Sequence, residues 1–129
     1  MDRYFSPDYV QHNPTIPNGP SAIASFIPTL KDLSYEVGMV VAEGDLVMVH
    51  GRYLGWGPKP LVAVDIFRVK DGKVVEHWDV MQEEVPTSAT ASGNPIHACA
   101  VGRITISFTS SAAGCWIAGQ QGRYAVGYG

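Results

Sequence analysis

The chain has 129 residues, with 9 Lys and Arg against 12 Asp and Glu for a net charge of −3, and 46% of its residues are hydrophobic. That length suits one domain able to bury roughly two thirds of its unfolded surface. Its basic residues (Arg3, Lys31, Arg52, Lys59, Arg68, Lys70, Lys73, Arg103, Arg123) are scattered, which argues against nucleic acid and anionic membrane as partners.

The first residues, Met1-Asp2-Arg3-Tyr4-Phe5, lack the apolar centre of a signal peptide, and no run of about 18 apolar residues follows, so a cytoplasmic location is expected. Cys99 and Cys115 lack CxxC spacing and read as two free thiols. Pro7, Pro14, Pro17 and Pro20 exclude a long helix over residues 1–20 and predict an ordered loop or short helical turn. Ser21 is placed to cap a short helix from Ala22, with Ile23, Phe26, Ile27 and Leu30 at helical spacing and a break near Pro28. Residues 34–42 and 46–54 predict two antiparallel strands joined by Glu43-Gly44-Asp45. The loop Gly55-Trp56-Gly57-Pro58-Lys59-Pro60 leads into two further strands, 61–70 and 73–81. A short helical part followed by four consecutive strands is an α+β pattern with a meander sheet.

Asp71-Gly72, between those last two strands, is the strongest short-range hairpin signal in the chain. A two-residue type I′ loop would set Lys70 opposite Lys73 and put Asp65 on the other face from His77 and Asp79. A three-residue loop, Lys70-Asp71-Gly72 with Gly72 in a G1 bulge, would set Asp65 opposite His77. Ala63, Asp65, Phe67 and Val69 would then share a face with Val75, His77, Asp79 and Met81. The bulge is preferred because it asks for positive φ at Gly72 alone. Beyond Pro86 the composition changes: residues 87–129 hold no Asp or Glu and are rich in Ala, Gly, Ser and Thr. They are expected as an atypical tail following a domain of residues 1–86. Ile104, Ile106 and Phe108 alternate with polar residues, as does a weaker stretch from Tyr124 to Tyr128, so the tail either adds edge strands or stays partly disordered.

Tyr4-Phe5-Ser6-Pro7-Asp8-Tyr9-Val10-Gln11-His12-Asn13-Pro14 together with the run from Val64 to Asp79 resembles the SnoaL-like polyketide cyclase family of the nuclear transport factor 2-like superfamily. The resemblance covers about residues 3–86. It implies a cone of curved antiparallel sheet packed with short helices around an apolar pocket, and a homodimer. The chain starts where the long opening helix of such domains would be ending, so that helix is expected to be truncated here. In this family an Asp at the position of Asp79 acts as general acid and base in an intramolecular aldol ring closure, without metal or cofactor. The family has a His in the pocket where this chain has Asp65.

Aldol chemistry removes a proton next to a carbonyl and protonates the new alkoxide, work suited to a carboxyl group whose pKa burial has raised. Asp79 is the expected acid/base, with His77 and Asp65 dividing the remaining proton transfers. The alternative for these three is a hydrogen bond between Asp65 and His77 inside the sheet, with Asp79 at a solvated strand end. His12, at the position resembling the pocket mouth, His50, Tyr53, Trp56 and Phe67 are the expected substrate-binding residues; Trp78 and Tyr35 are further aromatics that could stack on a flat ligand or belong to the core. His12, His50, His77, Asp65 and Asp79 lack the i, i+4 helical spacing of recognisable metal sites, so no metal is expected. Gly55-Trp56-Gly57 lacks the Gly-Lys-Ser/Thr ending of a phosphate loop, and no Gly-x-Ser-x-Gly elbow occurs. The sequence thus points to a cofactor-independent acid/base enzyme, an aldol-type cyclase or isomerase, acting on a small hydrophobic carbonyl compound. A non-catalytic ligand-binding or dimerisation module is the alternative.

Overall fold

The structure, a computed structural model, describes residues 2–97 and 104–107. Strand β1 (Phe5–Gln11) is followed by helix α1 (Pro20–Phe26), a 3₁₀ turn over Ile27–Thr29, and strands β2 (Ser34–Glu43), β3 (Leu46–Leu54), β4 (Leu61–Lys70) and β5 (Lys73–Glu83). After another 3₁₀ turn, Thr87–Ala89, comes β6 (Ile104–Ser107). The six strands form one sheet in the order β1-β5-β4-β3-β2-β6. Strands β2 to β5 are the expected antiparallel meander, β6 lies antiparallel outside β2, and β1 runs parallel to β5. The result is the curved-sheet α+β architecture that the sequence predicts.

β1 replaces the loop expected for residues 1–20. Its pairing shows why the prolines allow it: Phe5 is opposite Val74 and Val10 opposite Glu76, so five steps of β1 span two of β5. Pro7 sits in that excursion, where its missing N–H interrupts no ladder. The strand is anchored at both ends, with Val74 N–H donating to Tyr4 C=O at 2.7 Å and His12 N–H to His77 C=O at 2.9 Å.

α1 also begins differently. Gly19, at φ 91°, is the cap and Pro20 occupies the first turn, so Ser21 is already helical and makes no capping bond. The helix tightens to 3₁₀ at Ile27-Pro28, close to the expected break. Gly55, at φ 77°, lets the segment after β3 pass against the backbone of Lys31 and Asp32, where any Cβ would collide.

Curvature comes from two irregularities: Gly38 interrupts the β2–β3 register and Val75 the β4–β5 register. α1 and the 3₁₀ turn cover the concave face, β1 extends it at the sheet edge, and the core there comprises Phe5, Tyr9, Ile23, Tyr35, Val37, Val49, Phe67 and Val74. Among the described residues no helix is long and apolar enough to cross a membrane. In the tail, Ile104–Ser107 is a strand as the alternation suggests, whereas Phe108 and the stretch from Tyr124 to Tyr128 lie outside the described residues.

Candidate active site

Asp71 and Gly72 both have positive φ, 53° and 76°, and Lys70 is paired with Lys73. The turn is therefore the two-residue type I′ loop and not the three-residue loop preferred from sequence. By itself that loop would split the ionisable residues between faces. The bulge lies further along: the register shifts between Arg68, opposite Glu76, and Val69, opposite Val74, leaving Val75 as the extra residue. Beyond it Phe67 is opposite His77, and Asp65 is opposite Asp79 rather than His77. Asp65, Phe67, His77, Asp79 and Met81 thus share the concave face as expected, while Val74 takes the core position foreseen for Val75.

These side chains line a cavity of about 60 Å³ whose other walls are mainly apolar, from Ile16, Ile23, Phe26, Ile27, Leu33, Val37 and Val49. Of the five expected substrate-binding residues, Tyr53, Trp56 and Phe67 line it. His12 and His50 do not. The ring of His12 stacks on Trp78 at 4.8 Å and binds Glu76 Oε1 at 2.9 Å, on the convex face, where Arg68 also reaches Glu76. That network lowers the Glu76 pKa, chiefly through the His12 hydrogen bond and then through Arg68. His50 is paired with Val64 on the same convex side, because strand alternation turns it away from its neighbours Val49 and Gly51.

Two carboxylates facing each other across neighbouring strands repel, and the surrounding donors offset this. Asp65, 3% exposed, accepts from Tyr35 Oη at 2.8 Å and from Tyr53 Oη at 3.2 Å, and its Oδ1 is 3.2 Å from His77 Nε2. Tyr35 reaches it by crossing over Gly51, where a Cβ would run into the phenol ring. Asp79 Oδ2 accepts from Asn13 Nδ2 at 2.6 Å.

Backbone donors fix the proton positions. Gln11 Oε1 accepts from Asn13 N–H at 2.9 Å, so it is the oxygen, and His77 Nδ1, also 2.9 Å from it, must carry a hydrogen. His77 Nε2 and Asp65 Oδ1 then hold one proton between them, as imidazolium and carboxylate or as imidazole and carboxylic acid. Likewise Asn13 Oδ1 accepts from Thr15 N–H at 2.8 Å, which makes Nδ2 the donor to Asp79 and leaves Asp79 Oδ1 with no hydrogen bond among the described residues. Gln11 Nε2 donates to Tyr9 Oη at 2.9 Å, so the Tyr9 hydroxyl hydrogen remains for another acceptor. Burial, then the charges of Asp79 and Asp65, push the Tyr9 phenol pKa well up, which keeps that hydrogen in place.

Tyr9, Gln11 and Asn13 are the functional residues that sequence reasoning passed over. Their signal was spacing: three polar-tipped side chains at every second position, the period of a strand. One ligand atom from each of Asp65, His77 and Asp79 lies within 4.8 Å of the others, so the trio has the compactness to hold a divalent cation, with Nε2 as the available imidazole nitrogen.

A family model described as a SnoaL-like domain matches residues 1–77. Among solved structures, the chain is similar to TsrD from Streptomyces laurentii, with 26% identity, a TM-score of 0.52, and coverage of 63% of this chain and 72% of that one. It also aligns with a loop truncation variant of IdmH at 23% identity and a TM-score of 0.48, over 61% of this chain and 75% of the other. No match was found among curated proteins.

Proposed function

Since the chain belongs to the SnoaL-like domain family, we propose that it is a cofactor-independent acid/base enzyme, an aldol-type cyclase or isomerase that takes a small hydrophobic carbonyl compound. The observation that carries this reading is the pairing, in one apolar cavity, of a carboxylate oxygen and a hydroxyl hydrogen that have no partner among the described residues: Asp79 Oδ1 and the Tyr9 O–H. Asn13 orients Asp79 to remove a proton next to the substrate carbonyl. Tyr9 donates to the carbonyl oxygen and stabilises the negative charge that develops there. In ring closure the resulting carbanion forms a C–C bond to a second carbonyl, and the alkoxide takes up a proton. The proton shared by His77 and Asp65 is a source beside Asp79 that can supply it. In isomerisation the proton returns from Asp79 to a different carbon. Neither route changes oxidation state, so no redox cofactor is called for. Tyr53, Trp56 and Phe67 supply aromatic surface for the hydrophobic body of the substrate.

The test uses small apolar ketones as probes in D₂O, following exchange of the α-hydrogens by NMR and binding by tryptophan fluorescence. The wild-type chain is expected to accelerate exchange. Asp79→Asn should abolish it while retaining binding, and Tyr9→Phe should slow it by about 10²–10³-fold, the worth of one oxyanion donor. A wild-type chain that binds the ketones without exchanging their hydrogens would establish the non-catalytic ligand-binding module instead.

A further inference from the structure

On the convex side of the sheet, away from the cavity, the segment that follows β5 brings His97 against His50 of β3. The ring centroids are 5.7 Å apart with planes inclined by 48°. His97 is 9% exposed, and both its nitrogens, together with His50 Nδ1, are buried without a hydrogen-bond partner among the described residues. Three orphaned imidazole nitrogens in one place are costly, since a buried polar group forfeits roughly 1–3 kcal/mol when left unsatisfied. A feature so expensive calls for a partner that only the folded chain can present it to.

We propose that His50 and His97 form a binding site for a borderline transition-metal ion of the Zn²⁺, Co²⁺ or Ni²⁺ class. The geometry fits. Such an ion sits about 2.0–2.1 Å from an imidazole nitrogen, hence roughly 3.2 Å from the ring centroid. Two centroids 5.7 Å apart then subtend an angle on the order of 125° at the ion, within the range of distorted tetrahedral coordination. Two protein ligands leave further positions for water.

The surroundings suit a cation. The charged side chains acting on His97 are Glu36, Glu84 and Arg52, one net negative charge. Arg52 Nε and Nη2 are both held by Glu84 Oε2 at 2.8 Å. Burial, followed by the neighbouring His50, lowers the His97 pKa, so the ring is held in the neutral form that ligates metal. Imidazole ligands select this class of ion over Mg²⁺ or Ca²⁺.

The experiment titrates the full chain with Zn²⁺ by calorimetry and with Co²⁺ by visible absorption, in parallel with His50→Gln, His97→Gln and Asp79→Asn. Circular dichroism confirms that each variant is folded, and the two histidine variants back each other should one fail. The expected result is one equivalent bound by the wild type, with the d–d bands of a low-coordinate nitrogen and oxygen site. Affinity should fall about 100-fold or more in each histidine variant, since even second-shell partners are worth about 10- to 100-fold. Asp79→Asn should bind as the wild type does. Loss of binding in Asp79→Asn with retention in the histidine variants would move the ion to the cavity trio and overturn the assignment. So would a thiolate charge-transfer band, or no binding at all. Because the convex face is read separately from ketone exchange, failure here leaves the acid/base reading of the cavity untouched.

Discussion

Replacing His77 by leucine probes the strongest electrostatic constraint in the cavity. Asp65 is 3% exposed and takes its hydrogen bonds from Tyr35, Tyr53 and the proton it shares with His77. Leucine fills much of the imidazole's volume and keeps the contact with Phe67, now stacked at 4.7 Å, but removes the one partner that carries the compensating proton. Breaking a buried pair from one side costs about 3–5 kcal/mol, because a charge is left behind without compensation. Gln11 Oε1 also loses a donor but keeps Asn13 N–H, so its contribution stays near the small end of a neutral hydrogen bond, about 0.5–1.5 kcal/mol. Urea denaturation of His77→Leu should therefore show a loss of roughly 3–5 kcal/mol, a large part of the 5–15 kcal/mol typical of a domain. The double variant Asp65→Leu/His77→Leu removes the stranded carboxylate and should recover stability relative to His77→Leu, although Tyr35 and Tyr53 then lose their acceptor. A double variant at least as unstable as the sum of the two singles would refute the pairing argument.

Other consequences can be measured independently. Gly51→Ala forces the Tyr35 ring aside, so it should cost about 1–3 kcal/mol by overpacking and change the near-ultraviolet tyrosine signal; an unchanged spectrum and stability would contradict the crossing. The raised Tyr9 phenol pKa means that the unfolded chain releases this proton near pH 10 while the folded chain keeps it. Its contribution to stability is accordingly complete below that pH and lost as pH rises above it. Asp79→Asn should bring the phenolate transition, followed by ultraviolet difference absorbance, part of the way down. On the convex face, His12→Ala should move the Glu76 carboxyl titration, read by carbon NMR, back up toward the ordinary glutamate range, because the His12 hydrogen bond is the largest cause of its depression. Asn13→Ala should reduce ketone exchange mainly through the rate of the chemical step, leaving probe binding close to wild type, since Asn13 orients Asp79 and does not line the cavity.

The four-strand meander and the shared face of Asp65, His77 and Asp79 were legible because alternation and Asp71-Gly72 are local signals. The turn type was misjudged on the premise that Asp71 would avoid positive φ, yet Asp is among the residues that tolerate it. The bulge at Val75 then restored the expected face by a different route, so a correct face concealed a pairing in error by two residues. Val75 announces nothing, since one more valine in a Val-Val run satisfies strand patterning in either register. β1 was hidden for another reason: its partner, β5, is more than sixty residues away, and four prolines obscured the alternation of Tyr9, Gln11 and Asn13. His12 was assigned to the cavity from the resemblance and His50 from its strand face, but the inward residues are Gln11 and Asn13 beside His12 and Val49 beside His50, and in a strand the neighbour of an inward residue faces outward.

Val75 makes the site a matter of counting. Whether Val75 counts as a rung of the ladder or stands outside it sets the reading frame of everything downstream in β5. Pairing that valine into a regular ladder would set Ile66 opposite His77, turning His77, Asp79 and Met81 outward together and bringing Trp78 and Val80 inward, without altering one chemical group. Deleting Val75 would instead regularise the ladder and keep Phe67 opposite His77, so a relative with a one-residue gap here keeps the shared face. A relative that keeps every polar residue and the same count but pairs this position straight into the ladder would carry the letters of the site and none of its arrangement.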